Sequence, residues 1–427
     1  MAIELPPKHS EKKDSEIISA LWSSSELQEV LTRISDDYLY WDKVKHLAPK
    51  DMTAEHLWQA VKLQRKTELQ RVKFGKYTFS FNVTTIMQSL LHDFDLNMGG
   101  SLSADGIIPN NDKQIYLVSS IMEEAIASSQ MEGASTTRKV AKDMLRKKLS
   151  PINKSQQMIL NNYRTIQQLN EQKDKELTMD MLLDVHQNIS EHTLDNPADE
   201  GRLRNTDDIY VMDAINGEIA HTPPSYTEID SILQDVFTFA NEDNPKRFIH
   251  PIVKGIILHF MIAWIHPFVD GNGRTARSLV YWYLLKKGYW LTEYLSISRI
   301  IYKNKKRYER MFLYTEADDK DMTYFILYNL QVMKKAYEDL KLYLARKQEE
   351  RKSILMYNDI DGINARQMGI LRLLDEAPSS ILLPQEVASR FGVSERTARN
   401  DLQTLTDMGK LKKVAINKKQ TGFIMVR

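Results

Sequence analysis

The stretch His266-Pro267-Phe268-Val269-Asp270-Gly271-Asn272-Gly273-Arg274-Thr275-Ala276-Arg277 packs one His, one Asp, two Arg and two Gly into twelve positions. It closes the most apolar run of the chain, which begins at Ile252. Pro267 cannot continue a helix, so the helix carrying His259 is predicted to end near Ile265. Gly271 and Gly273 permit a tight turn, and a new helix is predicted over 274–287. The loop 270–273 then lies at a helix N-terminus, where free N–H groups and the dipole favour an anion. Arg274 and Arg277 can face that anion from one side of the first turn. Two guanidiniums and a helix end suggest more than one phosphate. Asp270 is a hard oxygen donor of the kind magnesium takes beside substrate phosphates. His266 precedes it at a helix end, suited to act as a base near neutral pH. Base, metal ligand and phosphate cradle describe attack on phosphorus or transfer of a phosphate-linked group. Residue by residue, a buried core histidine and an ordinary turn are the commoner readings; the ordered set argues against them. A metal site from His259, His266 and Asp270 is disfavoured, because Pro267 spoils their shared helical face.

The surrounding chain bounds what such a site can belong to. With 427 residues there is room for two or three domains with full-sized cores. Hydrophobic content of 42% and charged content of 27% describe a globular protein. A formal net charge of +1 gives no global case for nucleic acid or membrane, so any basic partner surface must be local. The absence of cysteine removes disulfides, thiolate metal sites and cysteine nucleophiles together. The amino terminus is charged without an apolar core, unlike a signal peptide, and the run from Ile252 is too interrupted to span a bilayer. A cytoplasmic location without membrane contact is expected.

Only 16 Gly and 13 Pro punctuate the chain, and long segments carry helical periodicity, so the fold class is mainly α. A mobile arm is expected over the first twenty or so residues, with a helix from Ser15, and further helices over 54–73, 113–129, 156–172, 178–191, 229–241, 249–265 and 322–351. Residues 96–112 read as a loop or short hairpin. One hairpin stands out: Ile209, Tyr210, Val211 and Met212 form a strand, Asn216-Gly217 turns, and 218–222 returns. A hairpin isolated among helices leaves an exposed edge that needs a reason.

The twelve-residue stretch resembles the signature of the Fic/Doc family, His-x-Phe-x-Asp/Glu-Gly-Asn-Gly-Arg-x-x-Arg. His266, Phe268, Asp270, Gly271, Asn272, Gly273, Arg274 and Arg277 match every fixed position. The sequence Gly201-Arg-Leu-Arg-Asn205, the hairpin before Pro223-Pro224 and residues 251–265 are similar to the family as well, over roughly 115–344. The resemblance implies transfer of AMP from ATP to a Ser, Thr or Tyr hydroxyl of a protein, the chain itself included. By that analogy His266 takes the hydroxyl proton, and Asp270 holds Mg²⁺ against the α- and β-phosphates. Asn272 and the backbone of Gly271 and Gly273 hold the α-phosphate, Arg274 the β and Arg277 the γ, with Thr275 and Ala276 in the same cradle. Tyr308 is the expected adenine contact. The second glycine argues against the kinase-like Doc branch, where lysine stands there. The hairpin becomes a flap whose edge pairs with an extended target segment. Transfer of another nucleotide or of phosphocholine, or removal of AMP, are alternatives on the same scaffold.

Ser128-Ser-Gln-Met-Glu132-Gly133 reads on its own as a helix end, with Gly133 at C′ and Ser128 and Glu132 sharing a face. Within the resemblance it matches an inhibitory helix amino-terminal to the domain, in which Glu132 pairs with Arg277 and takes the place of the γ-phosphate. Beyond residue 362 the pattern changes to three short amphipathic helices and two strands around a polar turn, similar to a winged helix-turn-helix domain. Residues 385–427 hold nine Lys/Arg against four Asp/Glu. Arg396, Thr397, Arg399 and Asn400 lie near the start of the third helix, behind the N-cap Ser394, where major-groove contacts are usually made. The expected organisation is therefore a helical amino-terminal region (1–112), a Fic domain (113–350) with its inhibitory helix near 115–133 and flap near 205–222, and a winged helix domain (360–427). Expected partners are ATP, Mg²⁺, a target protein on the flap and DNA on the winged helix, with a protein partner there as the alternative and a homodimer also admitted. The rival reading is a DNA-binding transcriptional regulator whose Fic domain senses nucleotide; an intact His266 favours the enzyme.

Overall fold

The computed structural model describes residues 3–8, 25–99, 113–212, 217–243, 247–358, 362–376, 381–417 and 420–426. Two compact units divide the chain, Met1–Leu340 and Lys341–Arg427. In the first unit the order is α1 (Ser25–Asp37), α2 (Trp41–Val44), α3 (Ala54–Glu68), β1 (Gln70–Phe74), β2 (Tyr77–Phe81), α4 (Thr85–Met98), α5 (Lys113–Met131), α6 (Arg138–Lys147), α7 (Lys154–Glu171) and α8 (Met179–Ser190). There follow β3 (Val211–Met212), β4 (Ile219–His221), α9 (Ile229–Asn241), α10 (Pro251–Ile265), α11 (Asn272–Lys286), α12 (Ile297–Lys303), α13 (Lys305–Ala317) and the start of α14 (Thr323–Asn358). The second unit holds α15 (Ala365–Glu376), α16 (Pro384–Phe391), α17 (Glu395–Asp407), β5 (Leu411–Asn417) and β6 (Gln420–Met425).

The core of the first unit is built on α10. Thirteen of its fifteen residues, Ile252 through Ile262 with Trp264 and Ile265, are buried, as befits a helix apolar on all sides. It starts on a Pro at its first turn, capped by the His250 side chain, and packs against α9 and α11. Helix α11 is nearly as buried, and α5, α7 and α8 lie against it. The two helices that flank the twelve-residue stretch are therefore the most constrained in the unit.

Three expectations change. The helix over 54–73 stops at Glu68, and residues 70–81 form an antiparallel hairpin with Phe74 paired to Tyr77. Phe74, Phe79 and Phe81 are buried, and that alternate-residue burial outweighs the helix-forming Gln, Lys and Arg nearby. The mobile amino-terminal arm is not so at residues 3–8: Glu4 accepts from Trp41 Nε1 at 2.9 Å and pairs with Lys45, and Tyr40 donates to its carbonyl. The helix expected from Ser15 lies outside the described residues up to Ser25. Helix α4 extends to Met98, and most of the loop expected over 96–112 lies outside the described residues.

In the second unit Ile370, Leu371, Leu374, Val387, Leu402, Leu405 and Phe423 share one apolar cluster. Gly392 takes the left-handed conformation between α16 and α17, and the Ser394 side chain caps α17. Leu382 bonds to Phe423 in both directions, adding a short third strand to β5 and β6. Three helices and a three-stranded edge make a winged helix-turn-helix.

Candidate active site

Helix α10 ends where Pro267 forbids its continuation, and His266 caps it in the left-handed conformation (φ 50°, ψ 58°). Its Nδ1 lies 3.2 Å from the Ala263 carbonyl. A carbonyl can only accept, so Nδ1 carries the proton and Nε2 is left with its lone pair. Burial, reinforced by the neighbouring His221, pushes the His266 pKa down to about 4, so the ring is neutral at pH 7. His266 is thus set as an acceptor of protons through Nε2.

The loop after it is closed by its own side chains. Asn272 donates from Nδ2 to the Phe268 carbonyl at 2.8 Å and accepts the Phe268 N–H at 2.9 Å. The Asn272 amide is thus committed to closing the loop. Helix α11 begins at Asn272, two residues earlier than expected. Gly271, not Gly273, supplies the positive φ (83°) of the turn, and Gly273 stands within the helix. Its lack of a side chain serves a different end. A Cβ there would lie 2.2 Å from Glu132 Oε1.

Arg274 is completely buried. Its Nη1 donates to the Ile189 carbonyl at 3.0 Å, while Nε and Nη2 find no acceptor. Asp270 is no substitute, its Oδ2 lying 3.9 Å from Nη2, beyond hydrogen-bond reach. Buried unmatched guanidinium donors are costly, and they face the same turn of α11 whose N–H groups are unpaired. Thr275, equally buried, also has an unpartnered hydroxyl, and Ala276 packs inward. Asp270 is half-exposed at the rim and accepts the Gly271 N–H through Oδ1.

Arg277 is buried and engaged through Nε and Nη2. Nε donates to Ser128 Oγ at 2.9 Å, and Nη2 to the Ser128 carbonyl at 2.9 Å and to Glu132 Oε1 at 2.8 Å. The Glu132 side chain is 30% exposed. Burial by the surrounding walls raises its pKa, and the Arg277 guanidinium outweighs that, holding the carboxyl below its ordinary value. Gly133 then leaves α5 with a positive φ of 93°, the ending glycine favours.

Glu132, His266, Gly273 and Arg277 border an open cleft of about 260 Å³. His266, Gly273, Arg277 and Glu132 form one side, Val211, Met212 and His221 of the hairpin another, and Tyr308 and Phe312 of α13 the third. The Tyr308 hydroxyl bonds to His259 Nε2 at 2.9 Å. The hairpin is shorter than expected. Strand β3 keeps only Val211 and Met212, with a bulge between them, and Asn216 of the turn lies outside the described residues. Ile209 and Tyr210 precede it, and Tyr210, Met212 and Ile219 are exposed.

Sequence reasoning missed three supports. His186 accepts the Gly201 N–H on Nδ1 and therefore donates from Nε2 to the Asp270 carbonyl at 2.8 Å, with its ring stacked on Phe268 at 3.6 Å. Burial lowers its pKa to about 4, so this tautomer persists. Arg204, although within the quoted Gly201–Asn205 segment, was not singled out. It donates to the His266 carbonyl at 2.9 Å and to Thr206, and its backbone N–H bonds to Pro267. His221 bonds to the Trp264 carbonyl at 2.7 Å and to Glu316, tying the hairpin to α10 and α13.

The Fic/DOC family model matches residues 176–284, a span that includes the loop, His186 and the hairpin. Residues 176–284 are a Fic/DOC-family domain. A helix-turn-helix domain model matches residues 366–424, the second unit. Among curated relatives, the "Protein adenylyltransferase Fic" of Nematostella vectensis is 30% identical over 118 residues, 28% of this chain and 25% of that protein. "Protein adenylyltransferase fic-1" of Caenorhabditis elegans is 31% identical over 114 residues, 27% of this chain and 20% of that protein. The matched part is about a quarter of the length of these relatives. Among solved structures, a Fic family protein from Desulfovibrio desulfuricans G20 superposes with a TM-score of 0.48 at 17% identity, covering 79% of this chain and 94% of that one. Fic-1 from C. elegans gives 0.46 at 16% identity, covering 80% and 85%. No helix among the described residues is long and apolar enough to cross a membrane.

Proposed function

We propose that the protein is an adenylyltransferase that moves AMP from ATP to a Ser, Thr or Tyr hydroxyl of a target protein, and that Glu132 holds it inactive. One juxtaposition carries the reading. A neutral His266 with its lone pair on Nε2 stands beside a helix N-terminus and a buried Arg274 whose Nε and Nη2 lack acceptors. Those orphan donors suit the oxygens of an oxyanion such as phosphate. The curated relatives, called adenylyltransferases, support the choice of nucleotide.

In this reading the Fic domain works by position. An extended target segment lies along the Val211–Met212 edge, since a short, exposed strand with apolar neighbours suits strand addition. His266 Nε2 takes the hydroxyl proton as the oxygen bonds to the α-phosphorus, and the bond to the bridging oxygen breaks to release pyrophosphate. Arg274 and the first N–H groups of α11 neutralise the phosphate charge, and Tyr308 walls the base side. Among the described residues no cluster of three His, Asp or Glu could hold a metal alone. Asp270 would therefore contribute a single carboxylate to Mg²⁺, with the phosphates supplying other ligands, and the metal would offset negative charge.

Glu132 takes the Arg277 donor that a terminal phosphate needs. The test is transfer of label from α-labelled ATP, with mass spectrometry to identify the adduct. Glu132→Gly should acquire +AMP on itself or on lysate proteins, and Glu132→Gly/His266→Ala should not. Equal labelling of wild type and Glu132→Gly would remove the brake from the reading. An adduct other than AMP would replace the nucleotide, and release of AMP from a modified protein would reverse the reaction's direction.

A second reading concerns the second unit. Arg396, Arg399 and Asn400 are exposed on the first turns of α17, with Thr397 beside them. Together with the helix-turn-helix match, this supports binding of duplex DNA. Arg396→Ala/Arg399→Ala should weaken binding to duplex DNA and flatten its salt dependence. An unchanged salt slope would point to a protein partner instead.

A further inference from the structure

One cation of the cleft has no part in the scheme above. Lys305, the first residue of α13, lines the cleft beside Glu132 and Arg277. Its Nζ donates to the Met131 carbonyl at 2.6 Å, which is the last residue of α5 and directly precedes Glu132. The ammonium is close enough to help hold the Glu132 carboxyl below its ordinary pKa, after Arg277 and Arg274. Its side chain is 40% exposed, and among the described residues its one carboxylate pairing is a loose one, 3.6 Å from Glu309.

We infer that Lys305 is a two-state residue: it caps the inhibitory helix while Glu132 is seated, and turns to the terminal phosphate of ATP when Glu132 leaves. The inference rests on the reading of Glu132 as a brake, and it follows from what bounds the seat. A cation on a C-terminal carbonyl of a 19-residue helix is favourable with the helix dipole, and it fixes the turn from which Glu132 projects. Once the carboxylate is gone, the same seat is flanked by Arg277 Nη2 and by the free end of a flexible, solvated lysine. A phosphate placed there gains a second counter-charge without any movement of backbone. Lys305 therefore opposes activity in one state and supports it in the other.

Opposite signs in two backgrounds make this testable with the full chain. With Glu132 intact, Lys305→Met should raise labelling from α-labelled ATP several-fold, because the last turn of α5 is loosened. In the Glu132→Gly chain the same change should weaken ATP binding about fivefold, as expected for one partly solvated charge-assisted contact. AMP, which lacks the terminal phosphate, should bind Glu132→Gly and Glu132→Gly/Lys305→Met equally by calorimetry, and Lys305→Arg should restore ATP affinity. A purely structural role would lower ATP and AMP affinity together, and that outcome overturns the inference. So would ATP affinity unchanged by Lys305→Met. If Glu132→Gly binds no ATP at all, the nucleotide reading itself fails and takes this inference with it.

Discussion

The contest for Arg277 can be put into numbers. Glu132 Oε1 sits 2.8 Å from Arg277 Nη2, and Arg277 is buried. At an effective dielectric of about 20, unit charges about 4 Å apart attract by roughly 4 kcal/mol. Removing one partner of a fully buried pair typically costs about 3–5 kcal/mol. The Glu132 side chain is 30% exposed, which draws the figure down towards that of solvated pairs. We place the brake at about 2–3 kcal/mol, a factor of roughly 30 to 150 in the population able to accept a terminal phosphate. Initial rates of AMP incorporation at ATP well below its KM should therefore rise by about that factor in Glu132→Gly.

Glu132→Gln separates charge from shape. Its carbonyl can still accept from Arg277 Nη2, but the ionic part is lost, so its rate should fall between wild type and glycine. Two results would refute the reasoning. Rates of Glu132→Gly within twofold of wild type would show that the pair controls nothing. A Glu132→Gln rate equal to wild type, with glycine fully released, would show that the obstruction is steric and that the charge arithmetic is misplaced.

Further outcomes follow from neighbouring contacts. Gly273→Ala puts a Cβ 2.2 Å from Glu132 Oε1 and 3.0 Å from Arg277 Nη1, so it should slow transfer more than tenfold even in the Glu132→Gly chain, by narrowing the cradle itself; rates unchanged there would dismiss the cradle. His186→Ala should cost about 1–3 kcal/mol of stability by orphaning the Gly201 N–H and Asp270 carbonyl, and should lower kcat more than it raises KM for ATP. His259, His186 and His266 have folded pKa values of about 3, 4 and 4, below the ordinary 6.5, so the unfolded chain binds more protons in acid. Their contribution is complete above pH 6.5 and is lost as pH falls towards 4, and for His259 towards 3; His259 alone costs about 2 kcal/mol at pH 5, and a melting temperature flat from pH 7 to 5 would contradict it.

What could be read from the sequence was whatever depended on local order. Pro267 ended α10, the repeat of apolar residues from Ile252 marked a buried helix, and Ser128 and Glu132 shared a face by spacing alone. What could not be read depended on contacts across the fold. Asn272 was placed at the phosphate by the resemblance, and nothing in its neighbours tells that Phe268 binds both ends of its amide. Gly273 looked like a turn residue, whereas its emptiness is needed by a carboxylate 141 positions earlier in the chain. His186 gave no signal at all, being one polar residue on an amphipathic helix. The hairpin over 70–81 did leave one, the alternation of Val72, Phe74, Tyr77, Phe79 and Phe81 around Gly75, hidden by a preceding run of good helix formers.

The way α5 is held explains why release should be local. Glu124, Ser128 and Glu132 recur every fourth residue and lie on one face, and Arg277 and Tyr281 of α11 have the same spacing. Glu124 is buried and accepts from the Tyr281 hydroxyl at 2.7 Å and from the Ser298 N–H at 2.9 Å. Burial raises its pKa against those hydrogen bonds, so withdrawing it from its donors would leave several groups unsatisfied at once. Ser128 forms the middle rung, bonding to Arg277 through both its hydroxyl and its carbonyl. Only the last rung, Glu132, reaches solvent, at the frayed end before a glycine with open space around it. Undocking the whole helix would break every rung, whereas turning one side chain breaks the single ion pair. The brake is thus an arm on a fixed post, and whatever frees it need only act on the final turn of α5, where Lys305 holds the Met131 carbonyl.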